Sequence, residues 1–117
     1  MGLSEGLIEI QEQKTGDVFI LRLKGRLDAI STPLTEKKIF DYINEGHYKI
    51  LLDFAQVDYI SSAGMRMLLS LTKKLKSLSG KLVLCNVTHN VMDVLKMSGF
   101  DHVLELTRSE EDALKKF

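Results

Sequence analysis

The residues best suited to chemistry in this 117-residue chain lie in one short run, Asp58-Tyr59-Ile60-Ser61-Ser62-Ala63-Gly64-Met65-Arg66. Two adjacent hydroxyls precede a small residue and a glycine at what reads as a helix start. The first N–H groups of a helix lack intrahelical partners and carry partial positive charge. Such a junction suits a serine cap or a phosphate group. On spacing alone Ser61 or Ser62 reads as the N-cap, and the phosphate reading stays open beside it. The run is not a G-x-S-x-G nucleophile elbow, because Ile60 stands where the first glycine belongs. Neither G-x-x-x-x-G-K-[ST] nor G-x-G-x-x-G occurs, so no phosphate-cradling loop, catalytic residue or cofactor is assigned.

Other reactive side chains point to less. Asp53 ends a central strand and raises the possibility of an aspartyl-phosphate receiver. That chemistry needs an acidic cluster for Mg²⁺ after the first strand, where this chain has Lys14-Thr15-Gly16-Asp17. The single cysteine, Cys85, allows neither an internal disulfide nor a multi-thiolate metal site, and in the run Leu82-Val83-Leu84-Cys85 it reads as a small buried hydrophobe. His47, His89 and His102 are too scattered for helical metal ligands, and no metal is expected.

The elements that must position the serines follow from periodicity. Leu7–Gln11 and Val18–Leu23 read as strands joined at Thr15-Gly16-Asp17, with Gly25 ending the second. Thr32 reads as the cap and Pro33 as the first residue of a helix that carries Ile39, Phe40 and Ile43 and closes at Gly46. Lys49–Phe54 reads as a buried strand, and Ala55–Ile60 as a loop. A long helix then carries Met65, Leu68, Leu69, Thr72 and Leu75 on one face, and Arg66, Ser70, Lys73 and Ser77 on the other. Leu82–Val87 is a further apolar strand. Thr88 caps a helix through Val91, Val94 and Leu95 that stops at Ser98-Gly99. Val103–Leu106 is a last strand, and Ser109 opens a terminal helix through Ala113, Leu114 and Phe117. The order ββαβαβαβα predicts an α/β domain over residues 1–117: a hairpin, then βαβ units with right-handed crossovers, one mixed sheet and about four helices.

Composition bounds the function. Hydrophobic residues are 44% and charged residues 27% of the chain, which suits a packed core. Sixteen basic and sixteen acidic side chains balance, so nucleic acid is not an expected partner. Lys73, Lys74, Lys76 and Lys81 read as a solvated helix face and its exit. No apolar run approaches the length of a membrane helix, so no membrane insertion is expected. The opening MGLSEG lacks the pattern of a secretory signal and places Gly6 where myristoylation requires Ser or Thr. A cytoplasmic domain, monomeric on its own, is the expectation.

Several segments together carry a family resemblance: Gly25-Arg26-Leu27-Asp28, Ile50-Leu51-Leu52-Asp53-Phe54, Tyr59–Arg66, Gly80–Val87 and Met97-Ser98-Gly99-Phe100. They span essentially the whole chain, which resembles STAS domains, in particular the free-standing bacterial anti-sigma factor antagonists. The resemblance implies a partner-switching regulator and not an enzyme. An anti-sigma factor that is also a serine kinase would bind the unphosphorylated form, freeing the sigma factor. Phosphorylation would release that partner, and a PP2C-type phosphatase would reverse it. The family pattern, Asp-Ser-Ser/Thr-Gly, aligned on Gly64 places the phosphate on Ser62. Ser61 here replaces the aspartate and Ala63 the second hydroxyl residue, which makes Ser61 a rival acceptor. Asp28, Asp58, Tyr59, Ser61, Ser62, Gly64, Met65 and Arg66 are the expected partner-binding residues, with Met65 equally readable as core. The same family also implies an alternative: a non-catalytic subunit of a membrane-associated transport complex, docking on an ATPase.

Overall fold

Alternation along Val18–Leu23 sends Phe19, Leu21 and Leu23 to one side of the chain and Val18 and Ile20 to the other, and both sides are covered. The computed structural model describes residues 8–117. In it β1 (Glu9–Thr15) pairs antiparallel with β2 (Val18–Leu27), and β3 (Lys49–Ile60), β4 (Lys81–Cys85) and β5 (Glu105–Thr107) follow in parallel. The spatial order equals the chain order, β1-β2-β3-β4-β5, so β1 and the three-residue β5 are the two edges. The predicted order ββαβαβαβα is the observed one, with helices α1 (Ser31–Asn44), α2 (Ser62–Ser77), α3 (His89–Met97) and α4 (Glu110–Leu114).

The two sheet faces differ in size. The larger core joins Phe19, Leu21, Ile50, Leu52 and Phe54 to side chains of α1, α2 and α3. The smaller holds Val18, Ile20, Leu51, Val83 and Cys85 under Ala113, with Leu114 and Phe117 at its margin. Fully burying a Leu or Ile side chain is worth roughly 1.5–3 kcal/mol, so the larger core dominates cohesion. Cys85 is buried, as its apolar neighbours predict.

Several boundaries move for identifiable reasons. Leu7 lies outside the described residues, and the first strand runs from Glu9 to Thr15. β2 passes through Gly25 to Leu27 instead of ending there. The stretch Ala55–Ile60 is strand, not loop. Arg22 and Lys24 face Asp53 and Gln56, and Gly25 and Arg26 face Val57 and Tyr59, so β3 carries an extra residue at each of two bulges. The bulges scramble the period-two pattern that marks a strand, leaving Ala55-Gln56 and Asp58-Tyr59 as exposed pairs. β4 stops at Cys85 because Asn86 takes a left-handed φ of 57°. β5 starts at Glu105, after a 3-10 turn at Phe100–His102, and Val103 is exposed. The buried stripe of α2 runs through Met67, Leu68, Leu71 and Leu75, which turns Leu69 and Thr72 to its margin. α4 ends at Leu114, before Phe117.

Gly80 joins α2 to β4 at a point of close approach. Its N–H donates to the Leu75 carbonyl at 2.7 Å, and the next N–H, of Lys81, donates to the Tyr48 carbonyl at 2.9 Å. A Cβ on residue 80 would sit 2.1 Å from that Tyr48 oxygen, a backbone atom that cannot swing aside. Gly80→Ala is therefore expected to cost about 1–3 kcal/mol, the range of overpacked sites. Thermal melts of the two proteins should show a midpoint lower by several degrees.

Candidate functional site

Two helix starts stand side by side at the carboxyl edge of the sheet. Leu27, the last residue of β2, pairs with Ile60, the last residue of β3. The Ser61 N–H continues the ladder by donating to the Leu27 carbonyl at 2.8 Å. Three residues on, Gly64 is buried, and a Cβ there would meet Ile60 Cγ1 at 2.7 Å, Leu27 Cβ at 3.1 Å and the Leu27 carbonyl oxygen at 3.2 Å. The first turn of α2 is thus pressed on the strand ends. Gly64 serves that contact.

The two serines divide the work. Ser61 is the N-cap: its backbone is extended, and its hydroxyl oxygen accepts from the Gly64 N–H at 3.2 Å. Ser62 is the first helical residue and is exposed to solvent. Ala63 beside it is half-buried. Arg66, four residues after Ser62 and therefore on the same helical face, is also exposed. Met65 is half-buried and packs against the larger core.

Asp28 belongs to the neighbouring helix start. Its Oδ1 accepts from the N–H groups of Ile30 at 3.0 Å and Ser31 at 2.9 Å, while the Ser31 hydroxyl oxygen accepts from the Asp28 N–H at 3.1 Å. The Ser31 hydroxyl in turn donates to the Arg26 carbonyl. This reciprocal arrangement works as a capping box does. It displaces Thr32 as the predicted cap: Thr32 lies inside α1, its hydroxyl buried and without a hydrogen-bond partner among the described residues, and Pro33 is the third helical residue. The Ser31 N–H, stronger than the cost of burial, holds the Asp28 carboxyl below the usual carboxylate range. Since this folded value is depressed, the contribution of Asp28 to stability is present above the unfolded value of about 3.9 and is lost as pH falls through the folded one.

The remaining expected residues rim the same edge. Asp58 is the extra residue of the second β3 bulge and is exposed. Tyr59 pairs across the ladder with Arg26, whose guanidinium carbon lies 4.3 Å from the ring centroid. Tyr59 keeps 39% of its surface exposed, and Ile30, at the α1 start, keeps 71%. Arg26 and Leu27 entered the sequence reading only within the segment Gly25–Asp28, and Ile30 and Ser31 not at all. The Asp28-x-x-Ser31 spacing is the local signal that could have found Ser31. At α3 the cap position is Thr88, as expected, but its hydroxyl donates to the Val57 carbonyl at 2.8 Å, tying α3 to β3 instead of closing its own helix.

Among the described residues no cluster of metal-ligating side chains occurs, and no helix is long and apolar enough to cross a membrane. The edge carries an exposed hydroxyl at a helix N-terminus, with Arg66 one turn further along the same helix, and the exposed side chains of Asp58, Tyr59 and Ile30 on the adjoining strand end and helix start. Removing the cap and removing the exposed hydroxyl should have unequal effects. Ser61→Ala is expected to cost about 0.5–2 kcal/mol, and Ser62→Ala to stay within about 0.5 kcal/mol of the parent. Urea denaturation of the three proteins would measure both.

The STAS domain model matches residues 9–113. The chain is 30% identical over 110 residues to BtrV of Bordetella bronchiseptica, provisionally named an anti-sigma factor antagonist, covering 94% of this chain and 95% of that one. The crystal structure of a Thermotoga maritima protein, provisionally described in the same terms, superposes with a TM-score of 0.87 at 24% identity over 92% of both chains. The anti-sigma factor antagonist SpoIIAA in its unphosphorylated form superposes with a TM-score of 0.77 at 24% identity, over 92% of this chain and 95% of that one.

Proposed function

Because the chain belongs to the STAS domain family, we propose that it acts in the cytoplasm as an anti-sigma factor antagonist whose binding edge is switched by phosphate on Ser62. The unphosphorylated form would hold an anti-sigma factor that is also a serine kinase, and a PP2C-type phosphatase would restore that form after phosphorylation. The observation that carries this reading is the division between the two serines: Ser61 is spent on the cap, and Ser62 is exposed at the first helical position. A kinase can reach the second hydroxyl without unwinding the helix. Ser61 supplies the capping oxygen at the position where an aspartate is usual in this family.

Electrostatics explains how such a modification would act. A phosphoserine brings about −1.5 to −2 charges. At the centre of an interface formed with Tyr59 and Ile30, that charge must be stripped of water, and Asp58 adds like charge. The loss of affinity needs no refolding, since a buried unpaired charge costs several kcal/mol by itself. The free protein responds differently. There the phosphate meets the unpaired N–H groups at the α2 start, worth roughly 0.3–1 kcal/mol when exposed. Arg66 stands one turn away on the same face.

Incubation with ATP and a serine-kinase anti-sigma factor from the same genome should place phosphate on Ser62, read by mass spectrometry. In calorimetry with that partner, Ser62→Asp should bind more weakly and Ser62→Ala should bind like the parent. Phosphate on Ser61 would overturn the assignment, and equal affinities of all three proteins would favour a docking subunit without a phosphate cycle.

The phosphoprotein should melt at the same temperature as the parent or slightly higher. Phosphorus NMR against pH should give a second phosphate pKa below that of a phosphoserine peptide, raised by Arg66→Ala. An earlier melt or a raised pKa would mean that phosphate strains the domain instead.

A further inference from the structure

The two halves of β3 are held differently. From Ile50 to Asp53 the strand lies between β2 and β4. β4 stops at Cys85, opposite Asp53, and the chain turns away at the left-handed Asn86. From Phe54 to Ile60 the ladder continues on the β2 side alone, and the two bulges interrupt it there. This second half is the part that carries Asp58 and Tyr59 to the serine-bearing edge. A bulge re-aims the side chains beside it, so whatever fixes the bulge fixes their direction.

Where β4 is missing, side chains take over its task. Asp53 Oδ1 accepts from the Ala55 N–H at 2.9 Å, and the Thr88 hydroxyl donates to the Val57 carbonyl at 2.8 Å. Val57 is fully buried, so its carbonyl depends on a donor from within the protein. It sits between the exposed pairs Ala55-Gln56 and Asp58-Tyr59, immediately before the second bulge. Thr88 has the extended backbone of an N-cap and the side chain for one, yet makes no capping bond to α3. Its hydroxyl is committed to β3 instead. Val91 and Leu95 of α3 are buried in the same core as Val57, which anchors the helix that brings Thr88 there.

We propose that Thr88 is a positioning residue of the serine-bearing edge: its bond to the Val57 carbonyl sets the second β3 bulge and, through it, the places of Asp58 and Tyr59. The consequence for binding rests on the reading of that edge as the partner's site; the consequence for the free protein does not. Without the hydroxyl, the Val57 carbonyl is left buried and unpaired, and the strand gains by opening locally to water. Tyr59 then loses its fixed place beneath Arg26, whose guanidinium carbon lies 4.3 Å from the ring centroid. A partner must order that edge again on binding, which weakens the complex.

The parent, Thr88→Val and Thr88→Ser would be compared free and with the serine-kinase anti-sigma factor. Valine keeps the shape of threonine without the donor, and serine keeps the donor. Gly80→Ala, strained at the other end of α2, controls for general loss of stability. In the free Thr88→Val protein, carbon-13 NMR should show the Tyr59 ring signals displaced while those of Tyr42 and Tyr48 stay in place. Amide exchange over Ala55–Ile60 should quicken about 3–10-fold, as the loss of one hydrogen bond implies. Partner affinity in calorimetry should fall by the same factor of about 3–10, and Thr88→Ser and Gly80→Ala should bind within about twofold of the parent.

Parental Tyr59 signals in Thr88→Val would overturn the proposal, and so would a Thr88→Ser protein as loose as Thr88→Val. An equal loss of affinity in Gly80→Ala would assign the effect to general stability and overturn it as well. A displaced Tyr59 with unchanged affinity upholds the positioning role and counts against this edge as the partner's site. Where Thr88→Val does not fold, the parent decides: its Thr88 hydroxyl proton should be protected from exchange and close to Val57, and a freely exchanging one overturns the proposal.

Discussion

The contact between the first turn of α2 and the ends of β2 and β3 is the constraint on which the serine-bearing edge depends. A glycine at position 64 lets the helix backbone approach Leu27 and Ile60 to a distance that any side chain would prevent. The ladder bond from Ser61 to Leu27 fixes the height at which the helix begins. Ser62 is consequently held at a defined point beside the α1 start, where Asp28 and Ser31 lock the adjacent turn. Both starts are bound to the end of β2, the α2 start at Leu27 and the α1 start at the Arg26 carbonyl, so they form one rim. A switch that acts by charge requires such a rim, because a mobile serine would let the added charge swing into water.

The rim also shows that residues whose chemistry suggested recognition serve structure as well. Asp28 is a carboxylate near the binding edge, yet its Oδ1 is occupied by two backbone N–H groups. Ser61 is a hydroxyl next to the expected phosphate acceptor, yet its oxygen closes the helix. In both cases an unpaired N–H at a helix start competes for the polar atom. What remains available at the surface is the Ser62 hydroxyl, the Asp58 carboxylate, the Arg66 guanidinium, and the apolar surfaces of Tyr59 and Ile30.

The element order and the serine-bearing junction were legible in the sequence because they rest on local signals: a Gly-Asp turn, apolar runs, and a Ser-Ser-Ala-Gly helix start. The misread parts depend on partners distant in the chain. Ala55–Ile60 has no alternation because bulges against β2 set its register. Thr32 has the right chemistry for a cap, but the geometry of the β2 end hands that task to Asp28. The face of α2 turned towards Met67 and Leu71 because the Gly64 contact fixes the helix rotation, which no count along the helix can reveal. The Arg22–Glu110 pair joins residues 88 positions apart, and neither carries a local signature.

The two edges of the sheet bear on how the domain avoids unwanted association. β5 has only three residues, so a passing strand would gain two or three ladder bonds there. β1 offers a longer edge, but it reads Glu9-Ile10-Gln11-Glu12-Gln13-Lys14, and a second copy laid antiparallel in the symmetric register would set Glu12 against Glu12. Sheet extension is thus discouraged at both ends, and the domain is spared the backbone-to-backbone pairing that would make an encounter hard to reverse.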